Sequence, residues 1–90
     1  MSNANLTRRI ESLLRALESG EISLKVFARE FEAHFESLEK MEYSSIKAAQ
    51  MAAVGFDIDG QYDADGFGDH DQFVADTVVW VRRWLKSIPQ

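Results

Sequence analysis

The chain contains no cysteine, a single proline and no long apolar run. Without cysteine it can form neither a disulfide nor a thiolate zinc site. The longest uninterrupted apolar runs, residues 51–54 and 78–81, fall far short of the ~20 residues that a membrane-spanning helix needs. The first residues lead into a charged run rather than into the apolar region of a secretory signal. We therefore expect a cytoplasmic protein without membrane contact.

Positive charge is also scarce. The chain has 10 Lys and Arg against 15 Asp and Glu, which gives a formal net charge of -5. This balance argues against direct nucleic-acid binding, which needs a basic surface. With 90 residues, 46% of them hydrophobic, the sequence predicts one globular domain, residues 1–90. Residues 1–4 resemble a disordered start or the remnant of an expression tag, and we assign them no role.

The negative charge is concentrated in two segments. Residues 55–76 contain seven aspartates and no Lys or Arg, and residues 30–42 contain five glutamates and one lysine. The other segments carry net positive charge. Because neighbouring carboxylates repel one another, we expect the residues 55–76 to be neutralised by another face, a metal or a basic partner.

The first half of the chain has two segments with the apolar spacing of an amphipathic helix. In the first, apolar residues recur every three or four positions from Leu6 to Leu17, and Gly20 fits just past the helix end. Ser23 is placed to cap the second, whose regularly spaced phenylalanines predict a helix to about residue 39 or 41. The short break between them is typical of an antiparallel helical hairpin.

Two further helices are predicted in the second half. Ser44 or Ser45 can cap an alanine-rich third helix, which Gly55 is expected to end. The last helix begins near Asp69 or Asp71 and ends before the only proline. The sequence thus predicts an all-α fold, a four-helix antiparallel bundle.

The segment 55–69 has an unusual composition, with four glycines and five aspartates. Both residue types disfavour helix, so we expect a long Asp/Gly-rich loop between the third and fourth helices. Its interleaved aromatic side chains could pin it to the core. Loops of this length in compact domains are usually functional or disordered.

Three interpretations of this loop remain open: a solvated charged loop, a calcium site, or an anionic docking surface for a basic protein. An EF-hand loop that began at Asp57 or at Asp63 would have an unsuitable residue at two of its required positions. For the docking interpretation, the candidate residues are Asp57, Asp59, Asp63, Asp65, Asp69 and Asp71.

A second acidic group lies on the predicted second helix. Glu32, Glu36 and Glu39 share one helix face, which is either an ordinary solvent face or part of the same acidic surface. Tyr62 and Trp80 are candidate aromatic anchors of an interface, since aromatic residues dominate binding hot spots.

Catalysis is not expected. His70 lies between two aspartates, an arrangement that can serve base chemistry or metal binding, and His34 is expected at the edge of the core. However, the chain lacks cysteine and has no serine in a nucleophile-elbow context. We therefore predict no catalytic residue, no metal ligand and no cofactor.

The segment 13–31 resembles the opening of small bacterial immunity proteins of the colicin D type, which also accompany contact-dependent growth-inhibition toxins. The resemblance rests on Leu17, Gly20, Ile22 with Ser23, Phe27 and Phe31. The aspartate-bearing stretch before a last amphipathic helix is similar too. The resemblance covers about 40 residues.

The resemblance implies a four-helix protein that binds a cognate bacterial toxin domain, often a tRNA-cleaving nuclease, and blocks its active site. Such a nuclease grips phosphates with Lys and Arg, so the charge pattern points independently to the same kind of basic partner. The alternative is a small calcium-responsive or adaptor module. The identity of the toxin and the oligomeric state stay open.

Overall fold

A computed structural model describes residues 3–38 and 40–89, and this part of the chain contains four α-helices and no strand. The helices are α1 (Asn3–Ser19), α2 (Leu24–Phe35), α3 (Tyr43–Ala64) and α4 (His70–Leu85). The all-α, four-helix prediction is therefore confirmed for these residues. Among them, no helix combines the length and the apolar character needed to cross a bilayer.

The turn between α1 and α2 follows the predicted capping residues. Gly20 has a φ of +81°, the left-handed conformation that ends many helices. The backbone N–H of Glu21 then donates to the carbonyl oxygen of Ala16 at 2.9 Å. The hydroxyl of Ser23 accepts a hydrogen bond from the backbone N–H of Val26 at 3.1 Å and so caps α2. Both cap predictions are confirmed.

The core is built around aromatic rings from three helices. Phe31 of α2 is fully buried, with its ring centroid 5.8 Å from that of Phe56 in α3 and 5.5 Å from that of Trp84 in α4. The indole N–H of Trp84 donates to the carbonyl oxygen of Ser45 at 3.1 Å, so this buried donor is satisfied. Three buried side chains of α1 complete this core, namely Ile10, Leu14 and Leu17.

The boundaries of α2 and α3 differ from the prediction. α2 ends at Phe35, short of residue 39 or 41. α3 begins at Tyr43, so that Ser44 and Ser45 lie inside its first turn, and Glu42 occupies the N-cap position without a side-chain hydrogen bond. The prediction of a serine cap was wrong, because the helix starts before either serine.

The predicted loop over residues 55–69 was wrong as well, because α3 continues through Gly55 as far as Ala64. Burial of Phe56 and Gly60 against α2 outweighs the low helix propensity of glycine. At Gly60 an added Cβ would lie 2.8 Å from the Cα of Lys25, so glycine is what allows α2 and α3 to approach so closely.

The connection between α3 and α4 is correspondingly short, residues 65–69. Gly66 and Gly68 have φ values of +82° and +76°, so both adopt the left-handed backbone conformation that glycine favours. Asp69 caps α4, since its Oδ1 accepts a hydrogen bond from the backbone N–H of Gln72 at 3.2 Å. This confirms the predicted start of the last helix.

Candidate functional site

The helical conformation of residues 57–64 distributes the aspartates around α3. Side chains two residues apart on a helix differ in direction by about 200°, so Asp57 and Asp59 point to nearly opposite sides. Asp59 and Asp63, four residues apart, share a face. The predicted aspartates therefore do not form one continuous acidic loop.

Five of the predicted residues lie in the last turns of α3, in the connection or in the first turn of α4, and we call this group the acidic corner: Asp59, Asp63, Asp65, Asp69 and Asp71. They do not share one face, since Asp65 lines a pocket with Asp57 whereas Asp63 contacts His70. The Nδ1 atom of His70 donates to the carboxylate of Asp63, with both oxygens at 2.9 Å, and so links the two helices. Asp65 accepts a hydrogen bond from the side-chain amide of Gln61 at 3.2 Å. Asp65, Asp69 and Asp71 are exposed, and Asp59 and Asp63 are half-buried.

The electrostatics of this corner are unfavourable at its α3 side. Asp63 and Asp65 lie at the C-terminal end of α3, where the helix dipole is negative, and the last turn contains no basic residue. In the described part of the chain the ion pairs are His70 with Asp63 and Arg82 with Glu18. Among the described residues, the acidic corner thus has no lysine or arginine partner, which makes it a candidate docking surface for a basic protein.

The predicted glutamates lie elsewhere. Glu32 and Glu36 line a groove of about 480 Å³ between α2 and α3, together with Asp57 of α3. Lys25 and Arg29 line the same groove, so its charge is mixed rather than purely acidic. The third predicted glutamate, Glu39, lies outside the described residues.

The two predicted aromatic anchors are also separated. Tyr62 is exposed and lines a shallow pocket with Asp57, Asp65 and Phe67, so it does lie beside carboxylates. Trp80 is half-buried, and its ring stacks on that of Trp84 at a centroid distance of 6.2 Å. Trp80 and Arg83 line a depression near the start of α3, so the structure does not bring Trp80 to the acidic corner.

Sequence reasoning missed an exposed apolar face on α3. The helix buries Ala49, Ala53, Phe56 and Gly60 on one side. The opposite side presents apolar side chains to solvent, with exposed fractions of 67% for Met51, 61% for Val54, 51% for Ile58 and 54% for Tyr62. The three- and four-residue spacing of this second stripe continues through Gly55 and could have revealed both the stripe and the length of the helix.

The two histidines have different surroundings. The Nδ1 atom of His34 donates to the carbonyl oxygen of Glu30 at 2.7 Å, within its own helix, whereas His70 bridges to Asp63. Across residues 3–38 and 40–89, no three His, Cys, Asp or Glu side chains converge on a common point that could hold a metal ion. What the described residues offer is an acidic surface beside an apolar one.

Comparison with known proteins identifies no relative of this chain: no family model, no curated protein and no solved structure matches it.

Proposed function

We propose that the chain is an immunity protein, which binds a cognate bacterial toxin domain and neutralises it by covering its basic active site. The toxin domain that fits best is a tRNA-cleaving nuclease. The observation that carries the proposal is the acidic corner, a group of carboxylates to which residues 3–38 and 40–89 supply no lysine or arginine partner. The likeness of residues 13–31 to colicin D-type immunity proteins supports the same class of partner.

The charge distribution favours a protein partner that itself binds nucleic acid. A nuclease contacts RNA largely through Lys and Arg at its phosphates. Spaced carboxylates offer those cations an alternative anionic surface and steer the two proteins together over short distances. In this proposal Asp59, Asp63 and Asp65 pair with the cations of the toxin, while Asp69 and Asp71 extend the surface along α4.

The remaining candidate residues form a second contact region. Glu32, Glu36 and Asp57 line the groove between α2 and α3, and we assign them a flanking role because Lys25 and Arg29 share that groove. Tyr62 would anchor the region between the groove and the corner. An antiparallel arrangement of the four helices would hold these surfaces in fixed relation to one another.

Co-expression tests the proposal. If a large protein is encoded immediately upstream, its C-terminal domain is the partner to express, and survival of the producing cells is measured. The triple variant Asp59→Asn, Asp63→Asn and Asp65→Asn should lose protection. It should also bind the purified toxin domain at least about 100-fold more weakly, since buried interface charge pairs contribute several kcal/mol in favourable cases.

The matched control removes the same number of carboxylates outside the corner, as Glu11→Gln, Glu21→Gln and Glu42→Gln. These side chains are exposed, and none of them forms an ion pair within the described residues. The control should protect like the unaltered protein. Equal protection by both triple variants would show that the acidic corner does not bind the toxin, and absence of a toxic upstream product would contradict the function itself.

A further inference from the structure

The outward face of α3 has the spacing of a helix-pairing seam. Reading along that face, the residues follow one another at intervals of four, three, four, three and four: Lys47, Met51, Val54, Ile58, Gln61 and Asp65. Such an alternation keeps one stripe in line along a helix and is typical of helices that pair with another helix. Three of the central residues are apolar and more than half exposed, namely Met51, Val54 and Ile58.

We propose that this face binds the same face of a second copy of the chain, so that two α3 helices pair in antiparallel orientation. Charge complementarity favours a second copy of the chain as the partner of this face. A lysine stands at one end of the stripe and an aspartate at the other, 18 residues and about 27 Å apart. An antiparallel pair centred at the level of Phe56 brings Lys47 of each copy opposite Asp65 of the other.

The same two-fold arrangement matches the rest of the stripe. Positions whose numbers are symmetric about residue 56 face each other, so Val54 packs against Ile58 of the second copy. Met51 then faces Gln61 of the second copy. The exposed Tyr43, at the start of α3, comes to the end of the second copy at which Phe67 is exposed. The central apolar pair and the charged pairs at the two ends thus meet suitable partners, while Met51 meets the side chain of a glutamine.

Gly55 supplies an independent observation. A glycine in the middle of a helix costs up to ~1 kcal/mol relative to alanine. At Gly60 the backbone of Lys25 accounts for this cost, whereas an added Cβ at Gly55 would meet nothing within 4 Å in the chain. Gly55 lies on the flank of the stripe close to the proposed two-fold axis. A second helix passing close to it accounts for the absence of a side chain.

One contact opposes the dimer. Asp57 lies on the flank of the stripe opposite to Gly55, near the two-fold axis, and faces Asp57 of the second copy. Lys25 and Arg29 line the same groove as Asp57 and supply positive charge beside it. The repulsion is therefore compensated in part, and a single helix pair is a small interface, so we expect a dissociation constant in the micromolar range.

The dimer goes beyond the function proposed above and is tested without toxin, but the two surfaces share Asp65, so the second copy and the toxin would compete for that side chain. Sedimentation velocity of the full chain, without toxin, from about 1 μM to 1 mM should show a monomer–dimer equilibrium. Ile58→Lys should weaken the dimer more than about 100-fold, because it places one unpaired charge per copy in the seam. The matched control Val79→Lys, at an exposed valine of α4, should leave the dimer unchanged.

Charge exchange tests the orientation. Lys47→Asp and Asp65→Lys should each weaken the dimer about tenfold, and the double variant should restore it, because the two positions meet across the axis. Since the chain lacks cysteine, a mixture of Lys47→Cys and Asp65→Cys chains should form a disulfide, and Lys47→Cys alone should not.

Four outcomes would overturn the proposal. They are a monomer at every concentration, an equal effect of Ile58→Lys and Val79→Lys, a failure of the double charge exchange to restore the dimer, or a disulfide between two Lys47→Cys chains. If the chain is monomeric and Ile58→Lys abolishes binding of the toxin domain, the stripe binds the toxin instead.

Discussion

The Nδ1 atom of His70, the first residue of α4, lies 2.9 Å from each carboxylate oxygen of Asp63 in the last turn of α3. This contact joins two helix ends across a five-residue connection. The imidazole is 55% exposed and the carboxylate 16% exposed, so solvent weakens the interaction.

We expect His70→Ala to lower the free energy of unfolding by at most about 1 kcal/mol, because the contact is partly solvated. Urea unfolding of His70→Ala, Asp63→Asn and the double variant would give the coupling energy between the two side chains. A coupling energy of zero would show that the two helix ends are held together without this contact.

Asp65→Asn should stabilise the protein. The substitution removes a negative charge from the C-terminal end of α3, where it opposes the helix dipole, and we expect a gain of about 0.3–1 kcal/mol in the free energy of unfolding. The asparagine can still accept the hydrogen bond from Gln61. Thermal unfolding at low ionic strength would measure the gain, which should shrink as salt is added.

Asp71→Asn is the matched control for that prediction. Asp71 lies in the first turn of α4, at the opposite end of a helix dipole, so the same chemical change should destabilise the protein. If both substitutions changed the free energy of unfolding in the same direction, the helix dipole would not be the cause. If the acidic corner binds the toxin, Asp65→Asn should also raise stability while it weakens toxin binding, a combination typical of functional positions.

The two glycines of α3 should respond in opposite directions to alanine. Gly60→Ala should lower the free energy of unfolding by roughly 1–3 kcal/mol, because the new methyl group forces α2 and α3 apart. Gly55→Ala should raise it by up to about 1 kcal/mol, since the position is helical and open. Both are measured by urea unfolding at a protein concentration low enough to keep the chain monomeric. Destabilisation by both would show that Gly55 is also packed within the chain.

Calcium should not bind in the micromolar range. An EF-hand loop wraps its oxygen ligands around the ion, whereas Asp57 and Asp59 extend from a helix in nearly opposite directions. Calorimetric titration of the chain with calcium chloride should therefore give no saturating heat at micromolar concentrations. Micromolar binding would favour the calcium-responsive alternative and would require α3 to unwind.

Local signals predicted some of this fold correctly, and a tertiary contact accounts for the main error. Gly20, Ser23 and Asp69 mark helix ends through interactions with their own neighbours, and all three were predicted. Gly60 is different, because its role depends on the backbone of Lys25, which is 35 residues away. Glycine and aspartate content therefore suggested a loop where packing against α2 maintains a helix.

The same error affected the candidate surface. Residue types alone indicated an acidic region, and its role as a binding surface stays a prediction. The directions of its aspartates depend on the helix, so the sequence could not show that Asp57 belongs to a groove with Lys25 and Arg29. The apolar stripe on the outside of α3 was not predicted either, because it continues past Gly55, at which the helix was expected to end.

The stacking of Trp80 on Trp84 has a spectroscopic consequence. These are the chain's only two tryptophans, and their rings lie within 14° of parallel one helical turn apart. Their emission therefore comes from a single place, where Phe31 contacts Trp84 and Phe56 contacts Trp80. Intrinsic fluorescence will register the separation of α4 from α2 and α3. It will not register events confined to the acidic corner, which need a label of their own.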